Sequence, residues 1–445
     1  MPEPPTVSLI FSYIWQFIQA WWWLILPWFL AGEIPRSRKS ATKPFWYFWK
    51  FWRVERWFET TYKAILLEVK LPRDIVKPIR AMEQVLDGIH QALWEPPNWI
   101  EEWWEGQVPL GLDFEIASIG GEIHFYIRIH KKYRDIVEAN IYSQYPEAEI
   151  SLAEDYVKYV PQDIPNKEWD LWATDYKFLK ADPYPIATYK NFETETEPLE
   201  EKRVDPMASL LENLSKIKPG EQLWIQISAS PMAEEYVQPF LKEGAELRDK
   251  LARRPEKIKH KPLIEEAAQI LISGKPTVEE KKEEIIPPEM KLTPGEREII
   301  AGVESKISKP VFSCNIRFIF MGKRGIFFKP NLRLGFGYFA NFTTNNMNNM
   351  VPYGKTITKV KSRPILNVLL FDKRRLYLRQ RKLFRQYKER FQPAFPLSGR
   401  HPFVFVLNSE ELASLFHLPS WQVAPVPGLS RVDAKKGPPP EFPVE

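Results

Sequence analysis

The sequence predicts an α+β protein in which one N-terminal transmembrane helix precedes two ferredoxin-like βαββαβ units, the second carrying a long charged insertion. Three observations predict this. An uncharged apolar run lies near the N-terminus. Behind it, strand and helix periodicities follow in the order β-α-β-β-α-β. A similar order then recurs, with a charged segment between its second and third strands.

The apolar run comes first in the chain. Pro4 to Gly32 contains no Asp, Glu, Lys, Arg or His. Val7 to Ala31 supplies the roughly 20 apolar residues that a helix needs to cross the hydrocarbon layer. Trp21, Trp22, Trp23 and Trp28 suit the membrane interface. The start, MPEPP, lacks the positive region of a signal peptide, which favours a retained anchor over residues 1–35. Arg36, Arg38, Lys39 and Lys43 follow directly and place the bulk of the chain in the cytoplasm. The expected location is thus the inner membrane, single-pass, with the N-terminus outside. Residues 36–60 form an aromatic and basic segment. Nine of the 14 residues from Phe45 to Phe58 are aromatic, Trp46, Trp49 and Trp52 among them, interleaved with Lys50, Arg53 and Arg56. Such a segment suits the headgroup layer; packing on the soluble body is the alternative.

Residues 61–160 read as the first ferredoxin-like domain. Ala64 to Leu71 is strand-like, and Pro78 to Trp94 has helical spacing at Ile79, Met82, Leu86, Ile89 and Leu93. Strands Leu110 to Ile119 and Glu122 to His130 meet across Gly120-Gly121, a hairpin signal. A helix from Tyr133 to Tyr145 and a strand from Ala148 to Leu152 complete the order. The second domain, 161–362, starts with a candidate strand at Ile186 to Phe192. A helix follows from Pro206 to Ile217, with Asp205 as its N-cap. Strands at Gln222 to Ala229 and Val311 to Met321 come next, then a helix over Asn331 to Phe342, weakened by Gly335 and Gly337, and a strand near Lys355 to Val360. The insertion, 232–308, is charged, with EEKKEE at Glu279 to Glu284. It reads as solvated helices and linker, or as a partner-docking arm.

Residues 363–422 hold a strand at Ile365 to Phe371, a basic helix and a short helix. The basic helix, Asp372 to Phe391, has nine Lys or Arg between Lys373 and Arg390. Lys373, Arg374, Arg375, Arg379, Arg381, Lys382 and Arg385 are its candidate contacts to phosphate or lipid. Leu376, Leu383, Tyr387 and Phe391 mark an apolar stripe, which also fits a solvated helix packed on the body. The tail, 423–445, is proline-rich and expected to be extended.

The 445 residues suffice for two or three domains, and the net charge of +5 names no partner by itself. The one cysteine, Cys314, excludes an intrachain disulfide and reads as a small buried hydrophobe in a strand. The six histidines show no zinc-ligand spacing. No phosphate loop, GxSxG, HExxH or GxGxxG occurs, and Met321-Gly322-Lys323-Arg324-Gly325 reads as a strand-to-helix turn. No catalytic, cofactor-binding or metal-binding residue is assigned.

Two stretches carry a family resemblance. Asp205 to Ile227 reads DPMASLLENLSKIKPGEQLWIQI, and Phe403 to Pro419 reads FVFVLNSEELASLFHLP, followed by APVPGLSRVDAKKGPPPEFP. Together they resemble the N-terminal, membrane-anchored region of bacterial conjugative-transfer and type IV secretion ATPases of the coupling-protein, HerA–FtsK-like class. Asn408, Glu410, Glu411, Leu412, His417 and Pro419 occupy that family's motif, which in such proteins lies just before the ATPase domain. The local reading is structural: Ser409 caps a short helix starting at Glu410, and His417 sits near its end. The sequence reaches Glu445 without a phosphate loop. The resemblance therefore implies a separate hexameric ATPase as partner, or a split or truncated form.

The leading expectation is a non-catalytic, membrane-anchored component of a DNA-transfer or secretion apparatus. It would contact the membrane, the separate ATPase, other apparatus subunits and copies of itself. The alternatives are a membrane-surface nucleic-acid binder that contacts DNA through the basic helix, and a membrane-associated enzyme of unrecognised type.

Overall fold

The computed structural model describes residues 63–72, 77–95, 110–192, 205–253, 292–359, 372–390 and 402–419 almost throughout, with short pieces within 49–57, 98–108 and 426–431. The expected span at 1–35, the Arg36 to Lys43 cluster, the Ile365 to Phe371 strand and the EEKKEE run lie outside the described residues. Among the described residues no helix is long and apolar enough to cross a membrane.

Two compact units are present. The smaller draws on residues 1–62, 97–108 and 394–399. In it the Trp49 ring lies 5.6 Å from Trp52 and 5.9 Å from Trp104. The Arg53 and Arg56 guanidiniums stand over Trp52.

The larger unit is α+β, built on one antiparallel sheet of nine strands. Its elements in chain order are β1 (Ala64–Lys70), α1 (Ile79–Leu93), β2 (Leu112–Ile119), β3 (Glu122–His130), α2 (Arg134–Gln144), β4 (Glu149–Ala153) and β5 (Trp169–Phe178). Then come α3 (Pro206–Leu214), β6 (Glu221–Pro231), α4 (Glu234–Leu251), α5 (Pro294–Ile307), β7 (Val311–Lys323), β8 (Met350–Pro352), α6 (Asp372–Lys388), β9 (Phe405–Asn408) and α7 (Ser409–Leu415). The strand order is β4-β1-β3-β2-β6-β7-β5-β8, with β9 pairing the start of β7. Thus α1 joins β1 to β2 across β3, and α2 joins β3 to β4 across β1. In the other half, α3 joins β5 to β6 across β7. The halves meet where β2 pairs β6, from Leu112↔Ala229 to Ile119↔Gln222.

Alternation along the strands explains the two faces. Leu112, Phe114 and Ile116 of β2, Leu223, Ile225 and Ile227 of β6, and Phe312, Ile316, Phe318 and Phe320 of β7 enter one core. Residues of α1, α2, α3 and α7 belong to the same core. The intervening residues, Asp113, Glu115, Gln226, Ser228 and Arg317, make the second face polar yet buried. Residues 156–164 and α6 pack against that second face through a smaller apolar cluster. The hairpin between β2 and β3 turns at Gly120 and Gly121, with φ +62° and +97°, the positive values that favour glycine. Cys314 is buried in β7 as expected.

Several expected elements need correction. Ile186 to Phe192 is no strand; it contains a short 3-10 turn at Tyr189–Asn191. The strand in its place is Trp169–Phe178, whose Asp170, Thr174 and Asp175 disguise a buried element. The expected helix over Asn331 to Phe342 breaks into three short turns, Lys329–Leu332, Arg333–Phe336 and Tyr338–Phe342. Gly335 there lies against Leu223 and Phe318, where an added Cβ would come within 3.0 Å of both. The final strand of the second expected unit is Met350–Pro352, upstream of Lys355. The insertion's two ends are also not solvated throughout. The helices α4 and α5 pack together, and Phe240 joins Met232, Val311 and Val406 in a third apolar cluster.

Candidate functional site

The residues of the family-like motif converge on a clasp around α7. Asn408, not Ser409, is the N-cap. Its side chain accepts from Glu411 N at 2.8 Å, and the Glu411 carboxylate accepts from Asn408 N at 3.0 Å. This is a capping box one residue earlier than the sequence suggests. Glu411 also pairs with Lys306 of α5 at 3.0 Å, both side chains fully buried, and accepts from Ile186 N at 2.9 Å. Burial pushes the Glu411 carboxyl up, against the pull of Lys306 and of the Ile186 and Asn408 amides.

Glu410 faces Lys190 at 2.8 Å, Thr188 at 2.7 Å, and Lys309, which also binds Glu83 of α1. Burial raises the Glu410 carboxyl, but hydrogen bonds from Lys190, Lys309 and Thr188 outweigh it and hold the group below its ordinary value. Leu412 is fully buried in the main core. His417 Nε2 lies 2.9 Å from Asp205 Oδ1, and Nδ1 lies 3.1 Å from Ala413 O. Asp205 is the N-cap of α3, as its position before Pro206 predicts, and accepts from Met207 N at 2.7 Å. The two stretches that carry the resemblance therefore touch.

Pro419 lines a small apolar cavity with Val69, Leu71, Phe125, Leu418 and Leu429. Beyond it, residues 428–431 are held to the sheet. Gly428 O accepts from Ile123 N at 2.7 Å, and Ser430 N donates to Ile123 O at 3.1 Å. Leu429 bridges Ile123 and Arg431 bridges Leu71, both parallel. Gly428 has φ +80°, and a Cβ there would fall 2.2 Å from Gly121 O, so only glycine fits.

The second candidate is α6. Gln380, Leu383, Phe384 and Tyr387 face inward. Lys373, Arg374, Arg375, Arg381, Lys382 and Arg385 are exposed, whereas Arg379 is half-buried and donates to Ile357 O at 3.4 Å. The helix is locked by a residue that the sequence reading left in the cation count. Arg390 is buried, pairs with Glu115 at 2.8 Å and Asp155 at 2.7 Å, and stands over the Tyr156 and Tyr387 rings. Burial opposes the Asp155 charge, yet Arg390 holds that carboxyl below its ordinary value. Nearby, Arg317 pairs with Asp175 at 2.8 Å and donates to Gln386 O at 2.9 Å. Polar residues alternating inside apolar strands, as in LDFEIASI and CNIRFIF, were the available signal for this network.

Of the expected interface residues, Trp49 and Trp52 are described, and Trp52 is exposed. Trp21, Trp22, Trp23, Trp28, Arg36, Arg38, Lys39, Lys43 and Trp46 lie outside the described residues. The ion pairs and caps above join separate elements, so the chemistry of this arrangement is that of a latch. No protein-family model matches the sequence, and no curated protein matches it.

Proposed function

We propose that this chain is a non-catalytic, membrane-anchored component of a conjugative DNA-transfer or type IV secretion-like apparatus. It would hold a separate hexameric translocase ATPase at the cytoplasmic face of the inner membrane. On this reading the body is a duplicated ferredoxin-like scaffold. The first half has both helical crossovers and the second has one, α3, with short turns in place of the other; the halves are joined edge to edge at β2 and β6.

The observation that carries the proposal is the His417–Asp205 contact, within a clasp that ties residues 405–419 and 428–431 into the body. Arg431 is therefore held at a defined point beside Leu71, as suits the start of a tether for a partner. The uncharged run at Val7 to Ala31 supports the anchor, and the two resembling stretches support the class of partner. Purification of the full chain from its native membrane tests this. Recovery of a phosphate-loop ATPase is expected; repeated recovery of no ATPase or secretion subunit would end the proposal.

The exposed cations of α6 favour one second reading, direct nucleic-acid binding. It predicts a steep loss of DNA affinity with salt. Charge reversal at Arg374, Arg375, Arg381 and Lys382 should flatten that slope, and unchanged DNA binding would reject the reading.

A further inference from the structure

The turn after β7 has a composition that neither the clasp nor the basic helix uses. Lys323 to Phe328 reads KRGIFF, and its side chains divide sharply. Phe327 turns inward and stacks on Phe320, ring centroids 5.1 Å apart. Ile326 and Phe328 stay out, 42% and 55% exposed. The turn is held rigidly. Ile326 N and Phe327 N both donate to Lys323 O, at 2.8 and 2.7 Å. The buried Glu221 carboxylate accepts from Phe328 N at 2.9 Å and from Asn331 Nδ2 at 2.8 Å. An exposed phenylalanine on a pinned turn is not a fraying accident; the backbone is fixed so that it projects.

Charge surrounds these two side chains. Lys323, Lys329 and Arg333 flank them and are exposed, and Lys218 is exposed on the adjoining turn, whose Gly220 O accepts from Lys323 N at 3.0 Å. These four cations outnumber the exposed acids of the neighbouring turns, Glu122, Asp163 and Glu168. Arg324 is engaged with Asp170 at 3.1 Å and helps to fix the turn.

We infer that the Lys323–Arg333 turn is a lipid-contacting tip that seats this end of the sheet on an anionic bilayer surface. The cations meet lipid phosphates while Ile326 and Phe328 enter the boundary between headgroup and acyl chains. Charge complementarity alone would equally fit a nucleic-acid backbone. The branched aliphatic Ile326 beside Phe328 decides for lipid, because it gains nothing on a phosphate chain and gains burial in a bilayer. The inference is independent of any ATPase partner.

Site-specific fluorescence on the full chain tests it. Cys314 is buried, and burial pushes its thiol up, so it stays unlabelled. A Cβ added at Gly325 meets nothing within 4 Å, so Gly325→Cys carries an environment-sensitive dye without disturbing Ile326 or Phe328. Leu179→Cys, exposed just beyond the opposite end of β5, is the control. Labelled protein is mixed with nanodiscs of phosphatidylglycerol and phosphatidylcholine, or of phosphatidylcholine alone. The dye at position 325 is expected to shift to the blue and be quenched by headgroup-proximal spin-labelled lipid only in the anionic discs, with no such change at position 179. Lys323→Glu/Lys329→Glu/Arg333→Glu should weaken the anionic response by roughly a hundredfold or more in lipid concentration, about fivefold for each cation lost. The unsubstituted background decides the question whether or not that variant folds. No quenching at position 325, equal quenching at position 179, or protection by a single-stranded oligonucleotide but not by anionic lipid would each overturn the inference.

Discussion

His417 and Asp205 lie 212 positions apart in the chain and meet at 2.9 Å. Asp205 caps α3, which packs on the Arg333–Phe336 and Tyr338–Phe342 turns and also touches β3, and His417 follows α7, which packs on α1. This contact thus ties the segment around α7 to the start of α3. Both histidine nitrogens lie against acceptors, an arrangement that the doubly protonated ring satisfies. Replacing His417 by Ala, or Asp205 by Asn, should each cost about 1–3 kcal/mol, with a non-additive double variant. Chemical denaturation followed by tryptophan fluorescence measures this; additive losses would show that the pair does not interact.

The Lys306–Glu411 pair is fully buried. Removing one partner strands a charge, so Glu411→Ala should destabilise by about 3–5 kcal/mol. Exchanging both for apolar residues, Lys306→Met with Glu411→Leu, should recover much of that loss in the same denaturation experiment. A double variant no better than the single one would show that the Ile186 and Asn408 amides, rather than the ion pair, dominate.

Acid should weaken the contacts of Glu410 in the clasp and of Asp155 beneath α6. The Glu410 and Asp155 carboxyls are held below their ordinary values of 4.5 and 3.8. A depressed folded value contributes stability that is complete above the unfolded value and lost as pH falls through the folded one. The contribution of these two carboxyls should therefore decline below about pH 4.5. Glu410→Gln should cost more at neutral pH than in acid below the carboxyl's lowered folded value, where the wild-type group is itself protonated. An equal cost at both would mean that Glu410 acts through packing alone.

The tail depends on one glycine. Gly428→Ala places a methyl against Gly121 O and gives alanine a positive φ, which should cost more than about 1 kcal/mol locally. Hydrogen exchange should then accelerate at the Ile123 and Ser430 amides, which bond across this contact. Unchanged protection there would contradict the account of the tail.

The two sides of α6 should respond oppositely. Charge reversal at the exposed Arg374, Arg375, Arg381 and Lys382 should leave stability within about 0.5 kcal/mol for each site. Arg390→Ala, which strands Glu115 beneath the helix, should cost about 3–5 kcal/mol. Thermal melts of the two variants separate these outcomes.

Much of the first half was legible because its signals are local. Gly120-Gly121 marks a hairpin, and Ile79, Met82, Leu86 and Ile89 mark a helical stripe. What escaped depends on partners far along the chain. Trp169–Phe178 looks too polar for a central strand until Arg317 is placed against Asp175. Arg390 reads as one more surface cation until Glu115 and Asp155 close on it. Ser409 looks like the better cap because the burial that selects Asn408 comes from β9 pairing β7. Gly428 sits in an aperiodic proline-rich tail, and nothing local shows that it meets Gly121.

The central claim is that the clasped C-terminal segment presents a tether to a separate ATPase at the membrane. Lysine-reactive cross-linking of the full chain in native membranes, read by mass spectrometry at Lys435 and Lys436, tests it most directly. The account predicts cross-links from these lysines to a phosphate-loop ATPase. Cross-links only within this chain or to its own copies, with the ATPase present in the same membranes and unlinked, would contradict it.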